Sequence, residues 1–193
     1  MKVLDLFCGR GGWSKPFVED GDEVWGIDIK DYGYPSKLIL SDIRELDGYG
    51  FSDVDLIIGS PPCTFYSIGF QFQVNKGKKR DIETANKLVG EFERFVREAQ
   101  PKFWAMENVT NMERYYPTVL GRAPSWHFMI SAGGRRSLWS NISLPLNPDY
   151  QFHRKLYLRY GGKSSDQRAE IPYPIARFVA DSVKGKVFWW KIV

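Results

Sequence analysis

Residues 54–67 read VDLIIGSPPCTFYS. The apolar run Val54–Ile58 is rich in β-branched residues and predicts a buried strand. Gly59 and the two prolines after it end that strand and stiffen the next loop, because proline fixes φ and lacks an N–H donor. Cys63 therefore stands on a rigid loop at the carboxyl end of a strand, where open α/β sheets bind ligands. The pattern predicts either a nucleophilic cysteine or a buried cysteine acting as a small hydrophobe.

A second strand-to-loop boundary opens the chain. Lys2–Phe7 predicts a buried strand, a glycine-rich turn follows it, and Trp13–Asp20 predicts a short helix that ends at Gly21. A strand, a glycine turn and a helix present backbone N–H groups and a helix N-terminus to a ligand. This arrangement favours a cofactor site, although such a turn can also serve only tight packing of helix against strand.

Two acids at predicted strand ends support a cofactor site. Glu23–Asp28 and Leu38–Ile43 predict the next two strands. Asp28 follows the glycines by about twenty residues, the spacing of a carboxylate that accepts hydrogen bonds from ribose hydroxyls. Asp42 either contacts the cofactor as well or caps a helical turn. The spacing leaves a dinucleotide cofactor open, although the glycine pattern is not GxGxxG.

The remaining pattern continues the alternation of strands and helices. Asp81–Ala99 predicts a helix with Asp81 as its N-cap, and a strand at Phe103–Met106 delivers Glu107 to the same sheet edge as Cys63. Weaker patterns predict further strands and a last helix: Trp126–Ile130, Arg136–Trp139, Gln151–Arg159 and the helix Pro172–Val183. We therefore expect a single doubly wound α/β domain over residues 1–193, with a mainly parallel sheet and the last helix beside the first strand.

Four motifs in this order resemble the cytosine-5 DNA methyltransferase family. They are DLFCGRGGWS at residues 5–14, Pro62-Cys63, Glu107-Asn108-Val109 and Arg135-Arg136. The resemblance covers roughly residues 1–139 and 171–183. It implies the seven-stranded, Rossmann-like fold of S-adenosylmethionine-dependent methyltransferases. It also implies methyl transfer to carbon 5 of cytosine in DNA, with the target base flipped out of the duplex.

The resemblance implies a role for each motif. Cys63 adds covalently to carbon 6 of the base, Glu107 hydrogen-bonds the ring, and Arg135 or Arg136 holds the carbonyl oxygen or a nearby phosphate. The implied S-adenosylmethionine site combines the glycine turn, the strand-end acids with the residues after them, and a loop proline. These residues are Phe7, Gly9, Gly11, Asp28, Ile29, Asp42, Ile43 and Pro61.

Charge permits a nucleic acid partner without establishing one. The 193-residue chain has a net charge of +4 and a pI near 9.0, a mild basic excess. Basic residues cluster beside aromatic ones in predicted loops, which suits phosphate contact with base stacking. The alternative is solvated loop charge. The candidate nucleic-acid-binding residues are Lys78, Lys79, Arg80, Arg154 and Lys155.

Composition argues against several other classes. No stretch approaches the ~20 apolar residues of a membrane span, and the N-terminus enters a strand pattern without the layout of a signal peptide. Cys8 and Cys63 are the only cysteines, so we expect a reducing cytoplasm and no disulfide framework. His127 and His153 stand apart from cysteines, and we predict no metal site.

The chain leaves little room for a separate target-recognition domain. Only residues 140–168 lie between the motif-bearing part and the last helix, so we expect a reduced recognition segment there. A short target site, or selectivity supplied by a protein partner, follows. Ser60-Pro61-Pro62 also resembles the start of the tetrad of exocyclic amino-methyltransferases. That activity, a non-catalytic nucleic-acid-binding subunit, and RNA as the substrate all stay open.

Overall fold

Strands and helices alternate along a computed structural model that describes residues 1–116, 119–121, 125–131, 134–144 and 170–186. The strands are β1 (Lys2–Leu6), β2 (Glu23–Asp28), β3 (Lys37–Leu40), β4 (Leu56–Gly59), β5 (Phe103–Val109), β6 (Ser125–Ser131) and β7 (Gly134–Ser140). The α-helices of the described residues are α1 (Lys15–Glu19), α2 (Gln71–Val74), α3 (Ile82–Ala99) and α4 (Tyr173–Val183). Short 3-10 turns cover Ile43–Glu45, Gly48–Phe51, Ile68–Phe70 and Thr110–Arg114.

The seven strands form one sheet in the order β3-β2-β1-β4-β5-β7-β6. The first five strands along the chain pair in parallel, whereas β7 runs antiparallel to β5 and β6 antiparallel to β7. The carboxyl ends of β1, β2, β4 and β5 therefore meet at one edge of the sheet, where such folds bind ligands. This confirms the predicted doubly wound, mainly parallel sheet.

Two apolar cores cover the two faces of the sheet. Adjacent residues of a strand point to opposite faces, and β1 shows this clearly. Leu4 belongs to the core that contains Phe92 of α3, and Val3 belongs to the core that contains Val179 of α4. Because both faces are covered, the central strands are mostly apolar and buried, as all four residues of β4 are. Helix α4 packs against α1 and shares the core of Val3, so the predicted return of the last helix is confirmed.

The structure changes two strand boundaries that matter for the site. Strand β5 extends to Val109, beyond the predicted end at Met106, because β7 pairs with it and places Leu138 opposite Glu107. Strand β3 ends at Leu40, since Asp42 begins a 3-10 turn instead. The predicted strand Gln151–Arg159 lies outside the described residues. No described helix is long and apolar enough to cross a membrane.

Candidate active site

The turn after β1 has a backbone that few residue types adopt. Phe7 has φ +58° and Gly9 has φ +50°, both in the left-handed region that is costly for residues with a Cβ. The Gly9 N–H donates to Oδ2 of Asp28 over 2.9 Å, and the Cys8 N–H donates to the carbonyl of Ile27 over 3.1 Å. These bonds fix the glycine turn to the end of β2.

A cavity of about 420 Å³ opens beside this turn. Six of the predicted cofactor residues line it: Phe7, Gly9, Asp28, Ile29, Asp42 and Ile43. The other two predicted residues, Gly11 and Pro61, do not line the cavity. A Cβ at Gly11 would meet the ring of Pro35 at 2.5 Å, and Pro61 is buried. The structure thus brings the glycine turn and both strand-end acids to one cavity.

The cavity wall also contains residues that sequence patterns did not assign to a site. Among them are Trp13, Tyr32, Thr84, Leu88, Glu170 and Ile171. Thr84 and Leu88 are four residues apart on α3, the spacing of one helix face, which is a signal the sequence contains. Glu170 and Ile171 reach the cavity because Gly12 lets the chain approach. A Cβ on Gly12 would lie 2.8 Å from both Glu170 Cγ and the Ile171 nitrogen.

Asp42 has a local partner in addition to its place on the cavity wall. Its carboxylate accepts the Arg44 N–H over 3.0 Å and the Arg44 Nε–H over 2.9 Å. The Arg44 hydrogen bonds lower the pKa of Asp42 to about 2, because they favour the charged carboxylate. Asp42 therefore caps a helical turn, one of the two roles that its sequence context left open.

Hydrogen bonds from three directions help to hold the loop that carries Cys63. Asn108 Nδ2 donates to the carbonyl of Pro61 over 2.9 Å, and Trp13 Nε1 donates to Ser60 Oγ over 2.9 Å. The Tyr66 N–H donates to the carbonyl of Cys63 over 3.1 Å. The first of these bonds joins the end of β5 to the loop after β4. It explains why an asparagine directly follows Glu107.

Glu107 and Arg136 form an ion pair inside the protein. Arg136 Nη1 lies 2.6 Å from Glu107 Oε1, and their side chains are 12% and 1% exposed. The other carboxylate oxygen, Glu107 Oε2, is buried and has no hydrogen-bond partner among the described residues. An unpartnered buried carboxylate oxygen is costly, which makes this atom a candidate acceptor for a donor on a ligand.

The thiol of Cys63 shares the environment of this pair. Burial raises the pKa of Cys63, the charge of Arg136 opposes that rise, and the charge of Glu107 adds to it. The thiolate is the nucleophilic form of a cysteine, so burial works against the reactivity of this thiol and the Arg136 charge works in favour of it. Cys8, the other free cysteine, is buried in the glycine turn, and burial raises its pKa strongly as well.

The segment after Cys63 combines anchored and exposed residues. Arg80 donates to the carbonyl of Phe65 over 2.6 Å, so this cation holds the loop in addition to any contact with nucleic acid. Phe72 is 61% exposed, and Lys78 and Lys79 are exposed beyond it. The predicted contacts Arg154 and Lys155 lie outside the described residues.

Arg135 lies in β7 opposite Met129 of β6. In the described part of the chain, no three His, Cys, Asp or Glu side chains converge as a metal site.

A family model described as C-5 cytosine-specific DNA methylase matches residues 1–117, more than half of the chain. The chain belongs to this family. The match includes the glycine turn, the Cys63 loop and Glu107, and it ends before β6 and β7. The family is therefore shown by the part of the chain that carries the glycine turn, most of the cavity wall and the Cys63 loop.

Curated relatives of this methylase are bacterial type II methyltransferases. M.DdeI of Desulfomicrobium norvegicum is 36% identical over 122 residues, which cover 56% of this chain and 28% of the relative. M.FnuDI of Fusobacterium nucleatum is 35% identical over 123 residues, covering 58% of this chain and 33% of the relative. The aligned part thus spans about a third or less of these relatives.

A solved structure supports the fold of the methylase. It is described as a DNA modification methyltransferase encoded within a prophage of E. coli, and it matches with a TM-score of 0.50 and 22% identity. The match covers 72% of this chain and 46% of the other. At this identity the likeness concerns the fold, a Rossmann-like α/β sheet.

Proposed function

We propose that this protein transfers a methyl group from S-adenosylmethionine to carbon 5 of cytosine in DNA, through a covalent adduct with Cys63. One observation carries the proposal. Cys63 lies beside a buried Glu107–Arg136 pair whose Oε2 has no partner among the described residues. A cytosine ring offers N3 and an exocyclic amine, and that amine is a donor suited to this oxygen.

The cavity fits S-adenosylmethionine. Its size lies within the range of small-molecule sites, and apolar walls at Phe7, Ile29 and Ile43 suit an adenine ring. Asp28 supplies a carboxylate for ribose hydroxyls. When bound, S-adenosylmethionine supplies the methyl group as an electrophilic carbon on a sulfonium. The wall reaches Ser60 and Pro62, so the cavity adjoins the residue that carries the nucleophile.

The protein's own groups would activate the base. The Cys63 thiolate forms a bond to carbon 6 of the base. The electron pair of the 5,6 double bond then becomes available at carbon 5 for the new bond to the methyl carbon. The Glu107 carboxyl accepts a hydrogen bond from the exocyclic amine and, in its protonated form, donates one to N3, which offsets the charge that the ring gains as Cys63 adds. A base then removes the proton from carbon 5, the double bond re-forms, and Cys63 leaves as a thiolate.

Arg136 has two parts in this scheme. Its ion pair with Glu107 keeps that carboxylate oriented, and its charge lowers the pKa of Cys63. Cys63 and the methyl donor must approach the ring of the target base from opposite faces. Both faces are accessible only when the base leaves the stack, so a target in a duplex has to be flipped out. Such chemistry depends on a free thiol, and we place the enzyme in the cytoplasm, where thiols stay reduced and DNA is present.

Recognition of DNA would rest mainly on phosphate contacts. Residues 64–80 contain four of the 27 basic residues and none of the 23 acidic ones, so the rest of the chain is balanced. Exposed Lys78 and Lys79 suit a phosphate backbone. We propose that residues 1–193 act as one catalytic domain, with residues 140–168 as a reduced recognition segment. A short target site, or a protein partner that supplies selectivity, follows.

The test is to identify the methylated nucleoside. The protein is incubated with labelled S-adenosylmethionine and duplex DNA, single-stranded DNA or RNA, and the product is digested and separated. We expect 5-methylcytosine from DNA, at few-base-pair sites and with activity that falls steeply with salt. Label on an exocyclic amine, or 5-methylcytosine from RNA alone, would contradict the proposal.

A further inference from the structure

Four basic residues follow the nucleophile loop, and Arg80 differs from the other three. Lys76, Lys78 and Lys79 are exposed, whereas Arg80 is half-buried. From the sequence alone, all four belong to one basic cluster that suits a phosphate backbone. A cation that the protein itself holds would have to give up its own contacts to reach a phosphate. Exposure therefore separates Arg80 from the three lysines.

The guanidinium of Arg80 contacts the loop that follows Cys63. Its Nη1 donates to the carbonyl of Phe65 over 2.6 Å and to the carbonyl of Ser67 over 3.3 Å. Its Cζ lies 5.5 Å from the ring centroid of Phe70, and that ring meets the ring of Phe65 edge to face with centroids 5.2 Å apart. Hydrogen bonds from a charged donor are roughly twice as strong as neutral ones. Arg80 thus joins two carbonyls and an aromatic pair.

The backbone between Cys63 and Ser67 transmits this restraint to the nucleophile. The N–H groups of Tyr66 and Ser67 both donate to the carbonyl of Cys63 over 3.1 Å. Ser67 is therefore bound to Cys63 through its N–H group and to Arg80 through its carbonyl. The cation that lowers the pKa of Cys63 is Arg136. The connection between Arg80 and Cys63 is thus made by the backbone of the loop.

We propose that Arg80 is a positioning residue, which holds the Cys63 loop in place for attack and does not contact DNA phosphates. The inference rests on the proposed function and deepens it, because it assigns one of the candidate DNA-binding cations to the alignment of the nucleophile. Attack on carbon 6 needs the sulfur at about 3–3.5 Å from that atom, and a misplacement of about 1 Å can slow a reaction about 10²-fold. Loss of Arg80 should therefore lower kcat and leave DNA affinity unchanged.

The variant Arg80→Ala separates a positioning role from a phosphate contact. At saturating DNA, its kcat should fall by about tenfold or more. The slope of log DNA affinity against log salt concentration should keep the wild-type value, whereas loss of a phosphate contact makes that slope shallower by about one. Lys79→Ala, which removes an exposed cation from the neighbouring position, should make the slope shallower by about one.

Alkylation of Cys63 by iodoacetamide gives a readout that needs neither DNA nor cofactor. Cys63 is half-buried, so release of its loop in Arg80→Ala should make its modification faster than in the wild type. Loss of a nearby positive charge would slow the modification instead, because the thiolate fraction would fall. Cys8 is buried and serves as the internal control for folding, since it should be modified at the wild-type rate.

Arg97→Ala is the matched control. It removes a guanidinium that is 60% exposed in the last turn of α3, and it should keep the wild-type kcat, salt slope and alkylation rates.

Three results for Arg80→Ala would overturn the inference alone. They are a shallower salt slope with unchanged kcat, slower or unchanged modification of Cys63, and faster modification of both cysteines, which would mean a general loss of structure. A wild-type protein that makes no 5-methylcytosine would overturn the proposed function, and the alkylation rates would still decide whether Arg80 holds the Cys63 loop.

Discussion

The proposed cofactor cavity and the Glu107–Arg136 pair, the proposed catalytic pair, differ in whether the carboxylate oxygens of their acids have hydrogen-bond partners. In the cavity, Asp28 accepts the Gly9 N–H and Asp42 is bound by Arg44. At the catalytic pair, Glu107 Oε2 has no partner in the part of the chain that the structure describes, and burial raises the pKa of Cys63. In the proposed function, the cofactor-binding half has its acids satisfied before the ligand arrives, whereas the substrate supplies the missing donor to the catalytic half.

The largest effect should come from Cys63→Ser. Serine keeps the size of the side chain but is a far weaker nucleophile, so turnover should fall by at least ~10³-fold. The cavity wall stops at Pro62, so the dissociation constant for S-adenosylmethionine should stay within about twofold of the wild-type value. Turnover assays and calorimetry on the same preparation separate the two halves. Near-normal turnover would remove Cys63 from the mechanism.

The next effect concerns Glu107→Gln. Glutamine keeps the shape but loses the charge that the base and Arg136 both use, so kcat should fall by roughly 10²–10³-fold. Arg136 would then lose the Glu107 charge with which it pairs, which should lower the free energy of unfolding by about 3 kcal/mol. Single-turnover rates and denaturant unfolding measure the two effects. Unchanged kcat together with lower stability would make the pair purely structural.

Asp28→Ala should act on the binding half only. The variant removes the acceptor of the Gly9 N–H and the proposed acceptor of ribose hydroxyls, so cofactor affinity should weaken by about tenfold. The rate at which iodoacetamide modifies Cys63 should not change, because Asp28 belongs to the other half of the site. A change in Cys63 reactivity in this variant would show that the two halves are not independent.

Arg136→Gln should slow thiol chemistry by a smaller factor. The Arg136 charge lowers the pKa of Cys63, so its loss should raise that pKa and reduce the thiolate fraction at any pH below it. The alkylation profile of Cys63 should move to higher pH, with severalfold slower modification at pH 8. Mass spectrometry distinguishes Cys63 from Cys8. A profile that moves to lower pH would reverse the assigned electrostatics.

The smallest effect concerns Asp5, beneath the glycine turn. Burial raises the pKa of Asp5 well above 3.8, and the Ser14 hydroxyl donates to it over 2.6 Å. The unfolded chain loses this proton near pH 3.8 and the folded chain only at higher pH, so wild-type stability falls as pH rises between those values. Asparagine cannot ionise. Asp5→Asn should therefore gain stability relative to the wild type between pH 4 and pH 7, by on the order of 1 kcal/mol.

Denaturation at both pH values checks this prediction. A relative gain that shrinks as the pH rises would mean that Asp5 is charged in the folded protein. Asp5→Ala is the comparison variant, because it also removes the acceptor of the Ser14 hydroxyl and should be less stable than Asp5→Asn at both pH values.

Local sequence signals predicted the fold and the strand-end positions. Apolar runs ended by glycine, proline or an acid marked the sheet edge at which Gly9, Asp28 and Cys63 lie, and a parallel sheet brings such ends together. The predicted strand end before Glu107 was wrong, because β5 continues to Val109. Asp42 shows the limit of this argument. Local sequence left a capping role and a cofactor role open, and the structure gives Asp42 both the cap contact with Arg44 and a place on the cavity wall.

Long-range packing accounts for what the sequence did not predict. The Asn108–Pro61 hydrogen bond joins residues 47 apart, and Glu170 meets Lys15 across 155 residues. Neither leaves a periodic trace in the chain. The choice between Arg135 and Arg136 also depends on long-range packing. The register of β7 on β5, with Arg136 opposite Val109, brings Arg136 to Glu107.

Covalent trapping tests the central claim most directly. A DNA duplex with 5-fluorocytosine at the methylated position has no proton on carbon 5, so the elimination that releases Cys63 cannot proceed. With S-adenosylmethionine present, the protein should form a denaturation-resistant complex, and digestion should locate the modified base on Cys63. Cys63→Ser should form none. Normal turnover on the fluorinated duplex, or a complex attached at Cys8, would contradict the account.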